Sequence, residues 1–209
     1  MTSETVVLVH GLWVNGMEMG WLRRQLEHAG YQTIQFTGST RTSSAFENAM
    51  DLNVLIERAT TETVHYIGHS LGGIVIRHLY AHFPRRRPGR IVTLGTPHNG
   101  SVAAARLARY VAGQFLLGKS IQHGLLGPLP AWPAGPELGS IAGTLRLGLG
   151  LLIPGIPRPN DGTVAIVETR LDGMTDHIEI PVSHTSMLFS RTVVSQVCQF
   201  LNTGSFKHA

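Results

Sequence analysis

A tight reversal of chain direction is written into the sequence at residues 68–72. The apolar run Val64-His65-Tyr66-Ile67 leads directly into Gly68-His69-Ser70-Leu71-Gly72, and a helical pattern begins at Leu71. Glycines two before and two after the serine remove bulk from both flanks of a strand-to-helix turn. Gly73 supplies a further small residue where the new helix passes close to the sheet. A turn of this kind holds one hydroxyl exposed at the carboxyl edge of a strand. Serine is a poor nucleophile unless it is exposed, fixed and set beside a base, and this turn meets the first two conditions.

The flanking sequence predicts a sheet to carry that turn. Thr5–Val9 is a β-branched run ending in His10-Gly11, and reads as a buried strand. Asn15 is a possible cap for a helix over Met17–Ala29, which Gly30 stops. Tyr31–Phe36 alternates as a second strand, and Ser43 or Ser44 can cap a helix reaching about Arg58. Thr63–Ile67 is the third strand, Leu71–His82 a helix, and Arg90–Leu94 the fourth strand. Strands alternating with helical links imply a parallel sheet covered on both faces.

The pattern changes after Ser101. Val102–Leu117 reads as one helix, and Gln122–Gly139 is rich in Gly, Pro, Leu and Trp without a clear period. Long connections inside a small domain usually serve as lids or binding loops, so residues 101–155 are read as a lid or pocket segment within a single 1–209 domain. Ser140–Thr144 is a fifth strand candidate, Asn160-Asp161-Gly162 a turn, and Val164–Thr169 a short helix or extended stretch. Asp176–Val182 is the last strand, and Thr185 or Ser186 starts a final helix to about Leu201.

A serine nucleophile needs a histidine base and an acid that holds its tautomer. In open parallel sheets such groups lie beyond the carboxyl ends of the strands. Of 11 histidines, His184 follows the last strand at that edge, and His98 follows the fourth strand as its competitor. His69 sits inside the turn, with its ring expected to point away from the neighbouring hydroxyl. For the acid, Asp161 precedes His184 on a loop, and Glu168 is the alternative. The order Ser70, Asp161, His184 matches the nucleophile–acid–base order found with a Gly-x-Ser-x-Gly turn. Two backbone N–H donors are also required for a developing oxyanion. Leu71, after the serine, and Leu12, on the loop after the first strand, are placed to provide them.

Composition narrows the class. The chain has 209 residues, 43% of them apolar and 14% charged, enough for one domain with a full core. The net charge is +4, with Arg85-Arg86-Arg87 and Arg90 on one loop. No aromatic residues interleave with these arginines, so a solvated loop is favoured over a nucleic-acid surface. The single cysteine, Cys198, reads as a packed thiol and excludes an internal disulfide. No basic and apolar leader stands at Met1–Thr5, which sets a cytoplasmic expectation. No ligand cluster has metal spacing, and neither a metal nor a cofactor is expected.

Together these motifs resemble the α/β-hydrolase superfamily, and within it the bacterial lipase and esterase branch, with similarity to the GPI-inositol deacylase-like group. The pieces carrying the resemblance are Val9-His10-Gly11-Leu12, Gly68–Gly73, Leu94-Gly95-Thr96-Pro97-His98-Asn99-Gly100, Asn160–Val164 and Ser183-His184-Thr185. The resemblance implies Ser70 as nucleophile, Asp161 as acid, His184 as base, and Leu12 and Leu71 as oxyanion donors. It implies a minimal, mostly parallel sheet of about six strands with helices on both faces and a small lid-like insertion. It assigns the loop at His98 to the pocket floor. The expected activity is carboxylic-ester hydrolysis on short- to medium-chain acyl esters. Thioesterase or amidase chemistry, or a non-catalytic lipid-associating module, are the alternatives. The expected partner is an acyl-ester small molecule or a lipid, with transient contact to a lipid surface. Trp13, Phe115 and Leu116 are the candidates for substrate contact. Leu117, Leu125, Leu126, Trp132 and Leu145–Ile153 are divided between pocket lining and core.

Overall fold

The computed structural model describes residues 4–12, 16–83, 87–148 and 153–208. Its centre is a sheet of six strands, all parallel, in the order β2-β1-β3-β4-β5-β6. The strands are β1 (Thr5–Val9), β2 (Gln32–Phe36), β3 (Val64–His69), β4 (Ile91–Leu94), β5 (Leu138–Gly143) and β6 (Asp176–Ile180). The helices are α1 (Gly20–His28), α2 (Ala45–Ile56), α3 (Leu71–His82), α4 (Val102–Leu107), α5 (Val111–Leu117) and α6 (Arg191–Thr203). This is the expected α/β-hydrolase architecture.

Period-two alternation divides the core into two layers. Val7 and Val9 of β1 pack with Ala49 and Leu52 of α2 and Ile74 of α3. Val6 and Leu8, on the opposite face, pack with Leu22 and Leu26 of α1 and Val197 and Phe200 of α6. The central strands β1, β3, β4 and β5 are buried along their whole length, as a sheet covered on both faces requires. Cys198 packs against the α1/α6 layer, and burial raises its thiol pKa.

Several boundaries differ from the sequence reading for local reasons. Strand β3 runs on to His69, immediately before the serine. The predicted 102–117 helix is two helices, because Gly113 lies against the Leu107 backbone and brings α5 across the end of α4. A 3-10 turn, Met17–Met19, precedes α1, and the proposed cap Asn15 lies outside the described residues. Ser44 caps α2 in a reciprocal capping box with Glu47. The last helix begins later than predicted. Ser186–Phe189 is a separate 3-10 turn, and Ser190 caps α6 by accepting from the Val193 N–H. The 101–155 segment contains β5, an interior strand, so its parts beyond the sheet are residues 101–137 before that strand and those that follow Gly143.

Of the basic loop, Arg85 and Arg86 lie outside the described residues. Arg87 donates to the carbonyls of Ala59 and Thr61, and Arg90 pairs with Glu137 and donates to the Leu201 carbonyl. No helix among the described residues is long and apolar enough to cross a membrane.

The junction of β3 and α3 leaves no room for side chains at its glycines. A methyl on Gly72 would overlap the carbonyl at the end of β1, and one on Gly73 would overlap Thr96. Gly72→Ala is therefore expected to cost about 1–3 kcal/mol. Gly20 has a helical φ of −61° and open space around it. Gly20→Ala is expected to stabilise by about 0.4–1 kcal/mol. Urea unfolding of the two variants checks the contrast, and equal effects would disprove it.

Candidate active site

Ser70 stands between β3 and α3 with φ 53° and ψ −121°, a conformation that L-residues rarely adopt. Neighbouring groups hold the turn in place. The Ser70 N–H donates to the Leu94 carbonyl, and the Ser70 carbonyl accepts from Thr96 Oγ1 at 2.9 Å. A side chain on Gly68 would approach the backbone of Gly73 to 2.5 Å. The glycines are thus needed at both flanks for the reason read from sequence.

The acid and base meet beside this turn. Asp161 Oδ2 accepts from His184 Nδ1 at 2.7 Å, and the Asp161 carbonyl accepts from the His184 N–H. Asp161 is 1% exposed, and its Oδ1 accepts from the N–H groups of Thr163 and Val164 at 2.8 and 2.7 Å. The carboxylate is therefore satisfied as an anion and orients the imidazole. With Nδ1–H committed to Asp161, Nε2 is left with its lone pair. Gly95, at φ 55°, passes under the pair, and a Cβ there would lie 3.0 Å from both Asp161 Oδ2 and His184 Nδ1. The Leu94 carbonyl bonded to Ser70 belongs to the residue before that glycine, so the pair and the serine flank one another across β4. No hydrogen bond joins Ser70 Oγ to His184 in this ligand-free geometry. Such contacts commonly tighten only once substrate is bound.

Glu168 and His98, the other candidates, are engaged elsewhere. Glu168 accepts from the N–H groups of Val102 and Ala165 and does not reach His184. His98 is 2% exposed, and its Nε2 is joined to Thr93 Oγ1. Burial pushes the His98 pKa down to about 3, which leaves the ring a neutral internal group.

His69 has a role that sequence reasoning missed. Its ring packs 4.8 Å from that of His184, and its Nε2–H donates to the His184 carbonyl at 3.0 Å. Its Nδ1 is buried without a partner. Burial, reinforced by the nearby His184, depresses its pKa to about 3. The only signal in the sequence was adjacency to Ser70, and a pairing across 115 residues has no local signature.

The two predicted oxyanion donors face the same turn. A Cβ on Gly11 would sit 3.1 Å from Ser70 Cβ, so the loop carrying Leu12 lies against the serine. Among the described residues, nothing accepts from the N–H of Leu12 or Leu71. Leu71 opens the 12-residue helix α3, whose N-terminus favours negative charge. Trp13 lies outside the described residues. Phe115 and Leu116 sit on the outer face of α5, 67% and 47% exposed, with the Arg41 guanidinium 4.7 Å above the Phe115 ring. Leu125 and Leu126 instead line an open cleft of about 690 Å³, and Trp132 packs on Tyr80. No group of three or more metal-ligating side chains is assembled among the described residues.

A family model, palmitoyl protein thioesterase, matches residues 5–126, more than half of the chain. The chain belongs to the palmitoyl protein thioesterase family. The match includes Ser70, Leu12 and Leu71 and stops before Asp161 and His184. Solved structures share the fold. The mature Bacillus licheniformis lipase BlEst2 superposes with a TM-score of 0.71 at 20% identity, covering 97% of this chain and 92% of that one. A metagenomic carboxyl esterase gives 0.65 at 18% identity, over 88% of this chain and 65% of its own. Carboxylesterase CesB of Bacillus subtilis gives 0.59 at 14% identity, over 97% and 84%. No curated protein matches the sequence.

Strained backbone at a non-glycine residue costs about 1–3 kcal/mol, against about 0.5–1 kcal/mol for glycine's extra unfolded-state freedom. Ser70→Gly should therefore unfold at higher urea than Ser70→Ala, by about 1 kcal/mol, and equal midpoints would remove the strain argument. Burial also lowers His78 and His177 to about 4. In an unfolded chain histidine titrates near pH ~6.5, so between that value and pH 3 the unfolded state binds more protons. Stability should decline as pH falls through this window. NMR titration should find the His69 and His98 rings neutral until about pH 4.

Proposed function

We propose that the protein is a serine acyl hydrolase that cleaves carboxylic esters through an acyl-enzyme on Ser70. The observation that carries this reading is the strained Ser70 turn flanking the 2.7 Å His184–Asp161 pair, with no acceptor for the Leu12 and Leu71 N–H groups among the described residues. Ser70 Oγ attacks the acyl carbonyl while His184 Nε2 takes its proton. The carbonyl oxygen, now negative, accepts from Leu12 and Leu71. His184 passes the proton to the leaving alcohol, and the acyl group stays on Ser70. Water then attacks the acyl-enzyme, giving its proton to His184; the bond to Ser70 Oγ breaks, His184 returns the proton to that oxygen, and the carboxylic acid leaves. Asp161 keeps the imidazole in the Nδ1–H tautomer and stabilises its cation.

The preferred substrates in this reading are short- to medium-chain esters, because residues 102–137 carry only short helical pieces, α4, α5 and the 3-10 turn Gly118–Ile121. A thioester reading is favoured by the family match. The same steps serve it, with a thiol as leaving group. The deacylase-like resemblance draws on the same acyl-transfer chemistry. A transient lipid surface is the proposed partner, since α5 exposes Val111 and Phe115, with Tyr110 beside them.

The test compares p-nitrophenyl esters of increasing chain length with S-acyl thioesters of the same chains. Ser70→Ala should lower kcat/KM by about a thousandfold or more, and Asp161→Asn by a similar factor, with both variants folded. Unchanged turnover in Ser70→Ala would sink the assignment. A maximum at long chains, or a strong thioester preference, would replace the short-ester reading with long-chain thioester hydrolysis.

A further inference from the structure

The 690 Å³ cleft is not the Ser70 site. It lies beside α3, where Arg77 stands two turns below the serine, and is walled by α4, by Leu125–Leu129 and by the Val167–Glu168 turn. Its size falls within the range of small-molecule sites, roughly 300–1,000 Å³. Arg77 is 7% exposed, yet no carboxylate among the described residues pairs with it. Its Nε donates to the Pro130 carbonyl at 2.5 Å and its Nη1 to the His98 carbonyl at 2.7 Å. Nη2 donates to no protein acceptor among the described residues. It is not sealed off either, so it is open to the cleft. Burial pushes the Arg77 pKa down, with no neighbouring charge to offset it. A guanidinium stays charged in a protein, so a buried one without a counter-ion is costly unless an anion joins it.

The other charged and titratable groups of the cleft are accounted for. Both Glu168 oxygens are taken by backbone N–H groups at 2.7 Å, and burial raises its pKa. His98 is neutral. The remaining wall is largely apolar, with Val102, Ala105, Leu125, Leu126 and Leu129.

We infer that this cleft binds an amphipathic carboxylate, its head accepting from Arg77 Nη2 and its chain lying along Leu125, Leu126 and Val102. With Nε and Nη1 engaged by carbonyls, Nη2 offers a charge-assisted N–H to one carboxylate oxygen. A phosphate would need more donors than this wall offers. The site stands whether or not Ser70 is a nucleophile, because it uses none of the residues around that serine.

Calorimetric titration of the intact protein with decanoate near neutral pH, with decanol as the uncharged control, tests it. Amide NMR locates the bound molecule. Decanoate should saturate one site and shift Val102, Leu125 and Leu126, and decanol should bind at least about tenfold more weakly. Arg77→Met should lose about tenfold or more in affinity. Because that variant also strips two carbonyls of their donor, Ala105→Trp on the exposed rim provides a second measure, with a similar loss. The inference is overturned by failure of decanoate to saturate, by equal binding of decanol, or by unchanged affinity in Ala105→Trp. Shifts centred on Leu12 and Leu71 would overturn it as well, by placing the ligand at Ser70.

Discussion

The structure depends on how closely one helix can begin beside the strand that precedes it. Helix α3 starts one residue after Ser70, and its first turn presses on the end of β1 and on Thr96. Only glycines at 68, 72 and 73 permit that approach. Any side chain there would separate α3 from the sheet and relax the turn that holds Ser70 at φ 53°. The same contact sets the Leu71 N–H at the helix start and brings the Leu12 loop against the serine. Backbone packing at one junction therefore positions the hydroxyl and both unclaimed donors together.

The second half of the site is assembled from the far side of the sheet. Asp161 and His184 lie on loops after β5 and β6, and they meet because parallel strands deliver every carboxyl end to one edge. Asp161 is held by two N–H donors of its own loop and spends its remaining oxygen on His184. His69 then fixes the His184 backbone from the opposite direction. His184 is thus held by a carboxylate at its ring and by an imidazole at its carbonyl. The neighbouring histidine is kept neutral by burial, so it adds no positive charge beside the base.

Much of this was legible in the chain because it is local. The Gly-x-Ser-x-Gly run, the β-branched strands and the Ser44 cap each lie within a few residues of the groups they govern. The boundaries that moved depend on distant contacts. The helix predicted over 102–117 breaks because Gly113 meets Leu107, and helix propensity along 102–117 does not reveal that contact. The last helix starts at Arg191 because the Ser190 hydroxyl is free to accept from Val193, whereas the earlier Ser186 hydroxyl is engaged with Ser183. Phe115 and Leu116 look like pocket residues by composition, yet α5 turns them outward.

By itself the sequence determined the class of fold, the serine turn and the chain order of Ser70, Asp161 and His184, since these follow from periodicity, glycine sterics and spacing. Only the tertiary structure showed that Asp161, not Glu168, meets His184, and that His98 is engaged elsewhere. Those contacts rest on which polar groups each side chain meets once buried. Glu168 is consumed by backbone N–H groups, and His98 by Thr93 and the interior. Arg77, a cation without a counter-ion at the edge of a cleft, became visible for the same reason. Pairing and burial are properties of the folded chain, and no window of sequence contains both partners.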